Sequence, residues 1–183
     1  MSALIVEGYV IVSADGMLAN ADHVMPDSLK FEGDKHFFTA ALDRADLIVH
    51  GRHSFEDQPN SPRRKRIAVT RAVDAIAPDP DNRNTCLWNP AGATLEEACA
   101  AVDFAGGTLA IAGGTEVFSL FLKIGYDIFY LARAEQVRLP GGVPVFCQGR
   151  FGQSPEDVLR DAGLKPTESR WLDNELSLVK WTA

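Results

Sequence analysis

Cysteine is scarce in this chain. Cys86, Cys99 and Cys147 are the whole complement among 183 residues, widely spaced and odd in number. None forms a CxxC pair or has histidines at ligand spacing, which argues against a disulfide framework or a zinc site and suits a reducing cytosol. Positive charge is also in short supply. Lys and Arg number 18 against 25 Asp and Glu, a net charge of −7, which argues against general nucleic-acid binding. No stretch is apolar and long enough to span a membrane. The opening "MSALIVEGYVIVSADG" lacks a basic leader and carries Glu7 inside its apolar run, so it reads as a first strand rather than a signal peptide. A cytoplasmic protein without nucleic-acid or membrane partners is expected. Repeats, low-complexity tracts and linkers are missing too, which at this length predicts one domain over 1–183.

What is present is an alternation of strand-like and helix-like segments. Residues 4–13 predict a strand ended by the turn composition "SADG", and an irregular stretch follows to about residue 32. Residues 34–45 read as a helix, 46–51 and 66–70 as short buried strands, and 94–105 as a helix opened by a Thr94–Glu97 capping box. A strand at 108–113, a helix after it and a long strand at 126–139 come next. Residues 154–163 form a Ser-capped helix, and the tail from Arg170 reads as a strand pair or as one strand after a turn. This order predicts an α/β sandwich with a mixed, mainly parallel sheet.

Three features have the size and sign of a phosphate site. In "LAIAGGTEVFSLFL" (109–122), Gly113 and Gly114 stand between a strand and a helix. Strand, glycine turn and helix N-terminus together present free backbone N–H groups to an anion; a plain turn is the other reading. In "LIVHGRHSFED" (47–57), a buried strand runs through Gly51 toward Arg52, His53 and Ser54 as if into a second helix start. There a guanidinium can fork onto phosphate and a hydroxyl can donate; a capped short helix with a solvated arginine is the alternative. Third, Arg63, Arg64, Lys65, Arg66 and Arg71 place five basic residues within nine positions of an acidic chain. They form either an anion subsite or a solvated loop.

Asp34 is the candidate acid. It lies four residues before Phe38 and seven before Ala41, on the face expected to be buried, where desolvation would raise its pKa and fit it to hold a proton. An aspartate at a helix start also serves as an N-cap. His23, His36 and His50 have no partner at catalytic spacing and read as surface or satisfied core residues.

In this order, "SADGMLA" (13–19), "MP" (25–26), "DKHFF" (34–38), "HGRHSFE" (50–56), "RRKRIAVTR" (63–71), "IAGGTEVFSLFL" (111–122), "YDIFYLARAE" (126–135) and "LPGGVPVF" (139–146) resemble the dihydrofolate reductase superfamily. That superfamily includes the reductase domain of the bifunctional riboflavin-biosynthesis deaminase–reductase. The resemblance covers nearly the whole chain. It implies a three-layer sandwich around an eight-stranded mixed, mainly parallel sheet that binds NADP(H) across its carboxyl edge.

Carried over, the resemblance places Gly51, Arg52, His53 and Ser54 on the cofactor and Thr70 and Arg71 by its 2′-phosphate. Gly113 and Gly114 would approach the pyrophosphate and nicotinamide, with Thr115, Glu116, Val117 and Phe118 following in the helix. Asp34 would be the catalytic carboxyl, Arg64 would grip a substrate carboxylate, and Asp15 would sit in a loop closing over nicotinamide and substrate. Asp27 follows "MP" where folate enzymes carry tryptophan, Ala132 stands where they carry a threonine, and "LPGGVPVF" resembles the riboflavin-type branch, as does pairing into a homodimer. No zinc-deaminase signature is present. The implied activity is hydride transfer to a planar pyrimidine or pterin. The alternatives are a genuine dihydrofolate reductase, a non-catalytic NADP-binding module on the same fold, or an interaction domain whose glycine turns are only turns.

Overall fold

The computed structural model describes residues 3–54, 58–149 and 152–183. In chain order its strands are β1 (Leu4–Ser13), β2 (Met17–Ala19), β3 (Leu47–Gly51), β4 (Arg66–Val69), β5 (Ile76–Pro78) and β6 (Thr85–Trp88). They continue as β7 (Gly107–Ile111), β8 (Ile128–Ala134), β9 (Val143–Pro144), β10 (Lys165–Asp173) and β11 (Leu176–Thr182). The α-helices are α1 (Glu32–Arg44), α2 (Leu95–Ala101), α3 (Thr115–Ile124) and α4 (Pro155–Asp161).

Nine strands form one sheet in the order β10-β11-β8-β1-β7-β3-β4-β6-β5. The six from β8 to β6 run parallel, with antiparallel β11 and β10 at one side and antiparallel β5 at the other. β2 and β9 make a separate two-stranded ribbon. The mixed, mainly parallel sheet is as expected, with nine strands in place of eight.

Side chains alternate across this sheet and sort into two cores. Val6, Val12, Val49, Leu109, Ile111, Phe129 and Leu131 face one way, against α2, α3 and α4 through Leu95, Phe118, Phe121 and Leu159. Tyr9, Ile48 and Ala110 face the other way, against Ala41, Leu42, Phe37 and Phe38 of α1. Both faces are therefore covered, as a parallel sheet requires, and the result is three layers with α1 alone on its side. Leu47, Val49, Leu109, Ile111 and Phe121 are fully shielded, each contributing roughly 1.5–3 kcal/mol of apolar transfer.

Several boundaries differ from the sequence reading. α1 starts two residues earlier, with Phe31 at its N-cap position, so Asp34 lies inside the first turn and is not a cap. β8 ends at Ala134, where Val137 N–H closes a turn onto the Ala134 carbonyl (3.2 Å). After Gly51 the described residues form a turn, with Ser54 N–H donating to the Gly51 carbonyl (3.0 Å); no helix begins there among the described residues, and Phe55, Glu56 and Asp57 lie outside them. The tail is a hairpin whose first strand begins at Lys165. The Thr94–Glu97 capping box and the Ser154 cap are formed as expected.

Candidate active site

Ligands in open α/β sheets bind beyond the carboxyl ends of the strands, near the point where the strand order reverses. Here that point is β1, which receives β7 on one side and β8 on the other. A cleft of about 500 Å³ opens there between α1, the chain around residues 18–25, and the glycine turn after β7.

Two strand ends are joined along one half of it. Gly51 N–H donates to the Gly113 carbonyl (2.7 Å), and Ala112 N–H donates to the Val49 carbonyl (3.0 Å). Gly113 has φ +107°, a conformation that favours glycine, and the Gly113–Gly114 peptide is cis. A Cβ built on Gly114 meets nothing within 4 Å. That space lies at the start of α3, whose N-cap is Gly114 and which has no side-chain cap; the Thr115 hydroxyl is instead spent on the Pro144 carbonyl (2.5 Å). Backbone N–H groups at a helix N-terminus thus sit beside open space, the arrangement that accepts an anion.

His53, Ser54, Gly113, Gly114 and Phe118 line the cleft, and Arg52 is exposed one residue before His53. Thr70 and Arg71 follow β4, and the exposed Arg71 guanidinium lies 3.5 Å from the Glu116 carboxylate in the first turn of α3. These residues come together along one edge. An open cradle at Gly114, an uncapped helix start and exposed guanidinium groups at Arg52 and Arg71 fit a dinucleotide with an extra phosphate.

The other half of the cleft is an aromatic slot. Tyr9 and Tyr130 stack with centroids 4.9 Å apart, and Phe37 meets Tyr130 edge-on at 5.4 Å. Ile11, Met25, Ala132 and Leu178 complete it. Asp34 lines this slot, and its carboxyl makes no hydrogen bond or ion pair among the described residues. Burial pushes its carboxyl up to about 6 from a usual value near 4. Desolvation wins here although a first-turn position favours a carboxylate by about 0.3–1 kcal/mol. The backbone turn that carries Asp34 is fixed by close packing: a Cβ on Gly33 would lie 2.2 Å from the Leu172 carbonyl oxygen. Gly33 N–H also reaches the Asp173 carboxylate (3.3 Å).

Two expected substrate residues lie elsewhere. Arg64 is buried and clamped by Asp43 (2.6 Å) and Gln58 (2.7 Å), tying the C-terminal turn of α1 to the chain before β4, and it does not line the cleft. Asp15 does not line it either. Its carboxylate accepts from the Ser13 hydroxyl (2.5 Å) and Leu139 N–H (2.9 Å). Desolvation opposes ionisation there, but these bonds outweigh it and hold the pKa below the usual range. The expected basic subsite is split as well: Arg64 and Arg66 are buried with protein partners, while Arg63 and Lys65 point outward. Sequence reasoning missed Tyr9, Phe37, Tyr130 and Leu178 as residues of the cleft; His23 is exposed at the surface, as expected, and also borders the cleft. Period-2 alternation along β1 and β8 would have put Tyr9, Ile11, Tyr130 and Ala132 on one face.

The architecture is that of the dihydrofolate reductase-like fold. No protein-family model matches the chain, and no curated protein matches it. Among solved structures it is similar over 98% of both chains to a Shewanella sp. PV-4 protein described as belonging to riboflavin biosynthesis, with 20% identity and a TM-score of 0.69. It is also similar to the Thermotoga maritima diaminohydroxyphosphoribosylaminopyrimidine deaminase/5-amino-6-(5-phosphoribosylamino)uracil reductase, with 14% identity and a TM-score of 0.66. That match covers 98% of this chain but only 56% of the Thermotoga one. A third is Enterococcus faecalis dihydrofolate reductase complexed with NADP(H), at 16% identity and a TM-score of 0.63 over 97% and 95% of the two chains. At these identities the likeness establishes the fold.

Proposed function

We propose that this chain is an NADP(H)-dependent reductase acting on a planar heterocycle of pyrimidine or pterin type. The observation that carries the proposal is the joining, in one cleft, of an open glycine cradle at a helix N-terminus and a desolvated carboxyl in an aromatic slot. When bound, the dinucleotide would supply the hydride.

The chain's own residues would do the rest. Backbone N–H groups at the start of α3 would bind pyrophosphate, and Arg71, with Thr70 beside it, would select the 2′-phosphate. Arg52, His53 and Ser54 would hold the cofactor from the β3 side. Tyr9, Phe37 and Tyr130 would orient a flat ring and exclude water from it. Asp34 would hold the proton for the reduced ring, directly or through an oriented water, because a carboxyl near 6 is still partly protonated close to neutrality.

The test is titration with NADPH and NADH, followed by a screen of pyrimidines and pterins for dinucleotide oxidation. Binding of NADPH with turnover of one ring class supports the proposal, and failure of both dinucleotides to bind rejects it. Ala132, which lines the same cleft as Asp34, offers no hydroxyl to the carboxyl, and this favours one second reading, a non-catalytic NADP-binding module. Such a module would bind NADPH and turn over no ring in the screen. Tight methotrexate binding would instead indicate a genuine dihydrofolate reductase.

A further inference from the structure

Among the described residues, no lysine or arginine lines the cleft; Asp34 is its one carboxyl, and its histidines, His23 and His53, are both exposed. The guanidinium groups of the surrounding chain are engaged elsewhere. Arg64, expected to grip a carboxylate, is buried against Asp43 and Gln58. Arg170 lies over the Phe37 ring (5.4 Å from its centroid) from an exposed place on β10, and it does not line the cleft. Arg71 reaches Glu116 at the start of α3, and Arg52 precedes His53, so both stand at the cradle, where the dinucleotide would take them up. Even the Tyr9 hydroxyl is committed, since it donates to the Glu7 carboxylate.

The rim carries the opposite sign. Residues 20–32, which lend His23 and Met25 to the cleft, hold three exposed acids, Asp22, Asp27 and Glu32, against the single cation Lys30. Lys30 is already paired with Asp27 (2.8 Å). Past Ser54 the sequence continues with Phe55, Glu56 and Asp57, again without a cation. A flat ring needs no charge to enter an aromatic slot, because area and stacking hold it. An anion entering the slot would give up water and find no partner. One left at the mouth would face acidic groups of its own sign. We propose that the ring this cleft accepts carries no anionic tail: it is an uncharged pyrimidine or pterin with a small neutral substituent, selected against counterparts that bear a phosphate or carboxylate. This narrows the reductase reading and rests on it.

The test reads binding, so that it does not depend on turnover. Calorimetry on the full chain, alone and with saturating NADP+, compares 6-methyl-7,8-dihydropterin with 7,8-dihydrofolate, and a ribosylaminopyrimidine with its 5′-phosphate. In the pair that binds, the tail-less member is expected to bind about threefold more tightly or better at low salt, and the gap should close as salt screens the rim. Equal or tighter binding of the tailed member at low salt overturns the proposal, as does failure of all four probes to bind. Charge is separated from bulk by one variant. Met25 lines the slot and is 39% exposed, so Met25→Lys should fold. It should improve the tailed member by about tenfold relative to the tail-less one, the effect of one charge-assisted contact. A folded variant that leaves the order unmoved also overturns the proposal. NADPH oxidation in the presence of a bound ring is the separate measure of the reductase reading: a tail-less ring that binds without turnover sinks that reading and leaves the charge preference standing.

Discussion

The amide of Gly51 donates to the carbonyl of Gly113 at 2.7 Å, so the turn after β7 is pinned to the end of β3. The two glycines that follow β7 then differ in what they tolerate. Gly113, at φ +107° and with the Phe118 ring 3.4 Å from a built Cβ, should lose about 1–3 kcal/mol on replacement by alanine. Gly114→Ala meets no protein atom within 4 Å; its melting temperature should stay near wild type while its affinity for NADPH falls. Paired thermal melts and NADPH titrations check this, and unchanged affinity in Gly114→Ala would mean that the open space does not hold the cofactor.

Asp34→Asn should abolish most turnover while leaving NADPH affinity within a few-fold. Its stability should change with pH in a defined direction. The folded carboxyl has a pKa near 6, raised by burial, so the folded state holds the proton more tightly than the unfolded chain. Its contribution is complete below about pH 4 and is lost as pH rises through 6. Wild type should therefore lose stability relative to Asp34→Asn across that window, by about 2–3 kcal/mol. Denaturant melts of both proteins between pH 4 and 8 test it, and parallel curves would remove the buried carboxyl from the account. Turnover in wild type should fall as pH rises through about 6, since the protonated form is the donor.

Arg71→Ala should weaken NADPH binding by about tenfold, the loss expected of one charge-assisted phosphate contact, and leave NADH binding nearly unchanged. Calorimetry with both dinucleotides gives the answer. The exposed pair with Glu116 makes little difference to stability, because such pairs contribute about 0–1 kcal/mol.

Arg64→Met should cost about 1–3 kcal/mol by stripping Asp43 and Gln58 of a hydrogen-bonded partner. Turnover per folded molecule should not change, and KM for any ring should not change either. A rise in KM without loss of stability would return Arg64 to the substrate site.

The sequence and the structure agree most where local chemistry decides the outcome. Thr94 with Glu97, Ser154 before Pro155, and the apolar runs of β1, β3 and β7 all declare themselves over a few residues. β6 does not: Thr85–Trp88 is too short for alternation to register, and its place between β4 and β5 is fixed only by pairing. The glycine turn that borders the cleft is legible for a similar reason, since glycine between strand and helix is a local signal. The aromatic slot was not, because Tyr9, Phe37, Tyr130 and Leu178 are brought together by β1, α1, β8 and β11, segments far apart in the chain. Arg64 shows the opposite failure. A basic run looks like a binding patch until burial assigns its members to Asp43 and Ser61.

The place of β1 at the reversal of the strand order also bears on how the chain is made. Its two neighbours pair Leu4 with Gly107 and Ser13 with Ala134, so β1 is flanked on both sides only after more than a hundred further residues have been synthesised. Until then its unsatisfied edges are open to other chains, and pairings this distant in sequence close slowly. Nascent chains halted before β7 should consequently depend on chaperones, and this dependence should disappear once β8 has emerged.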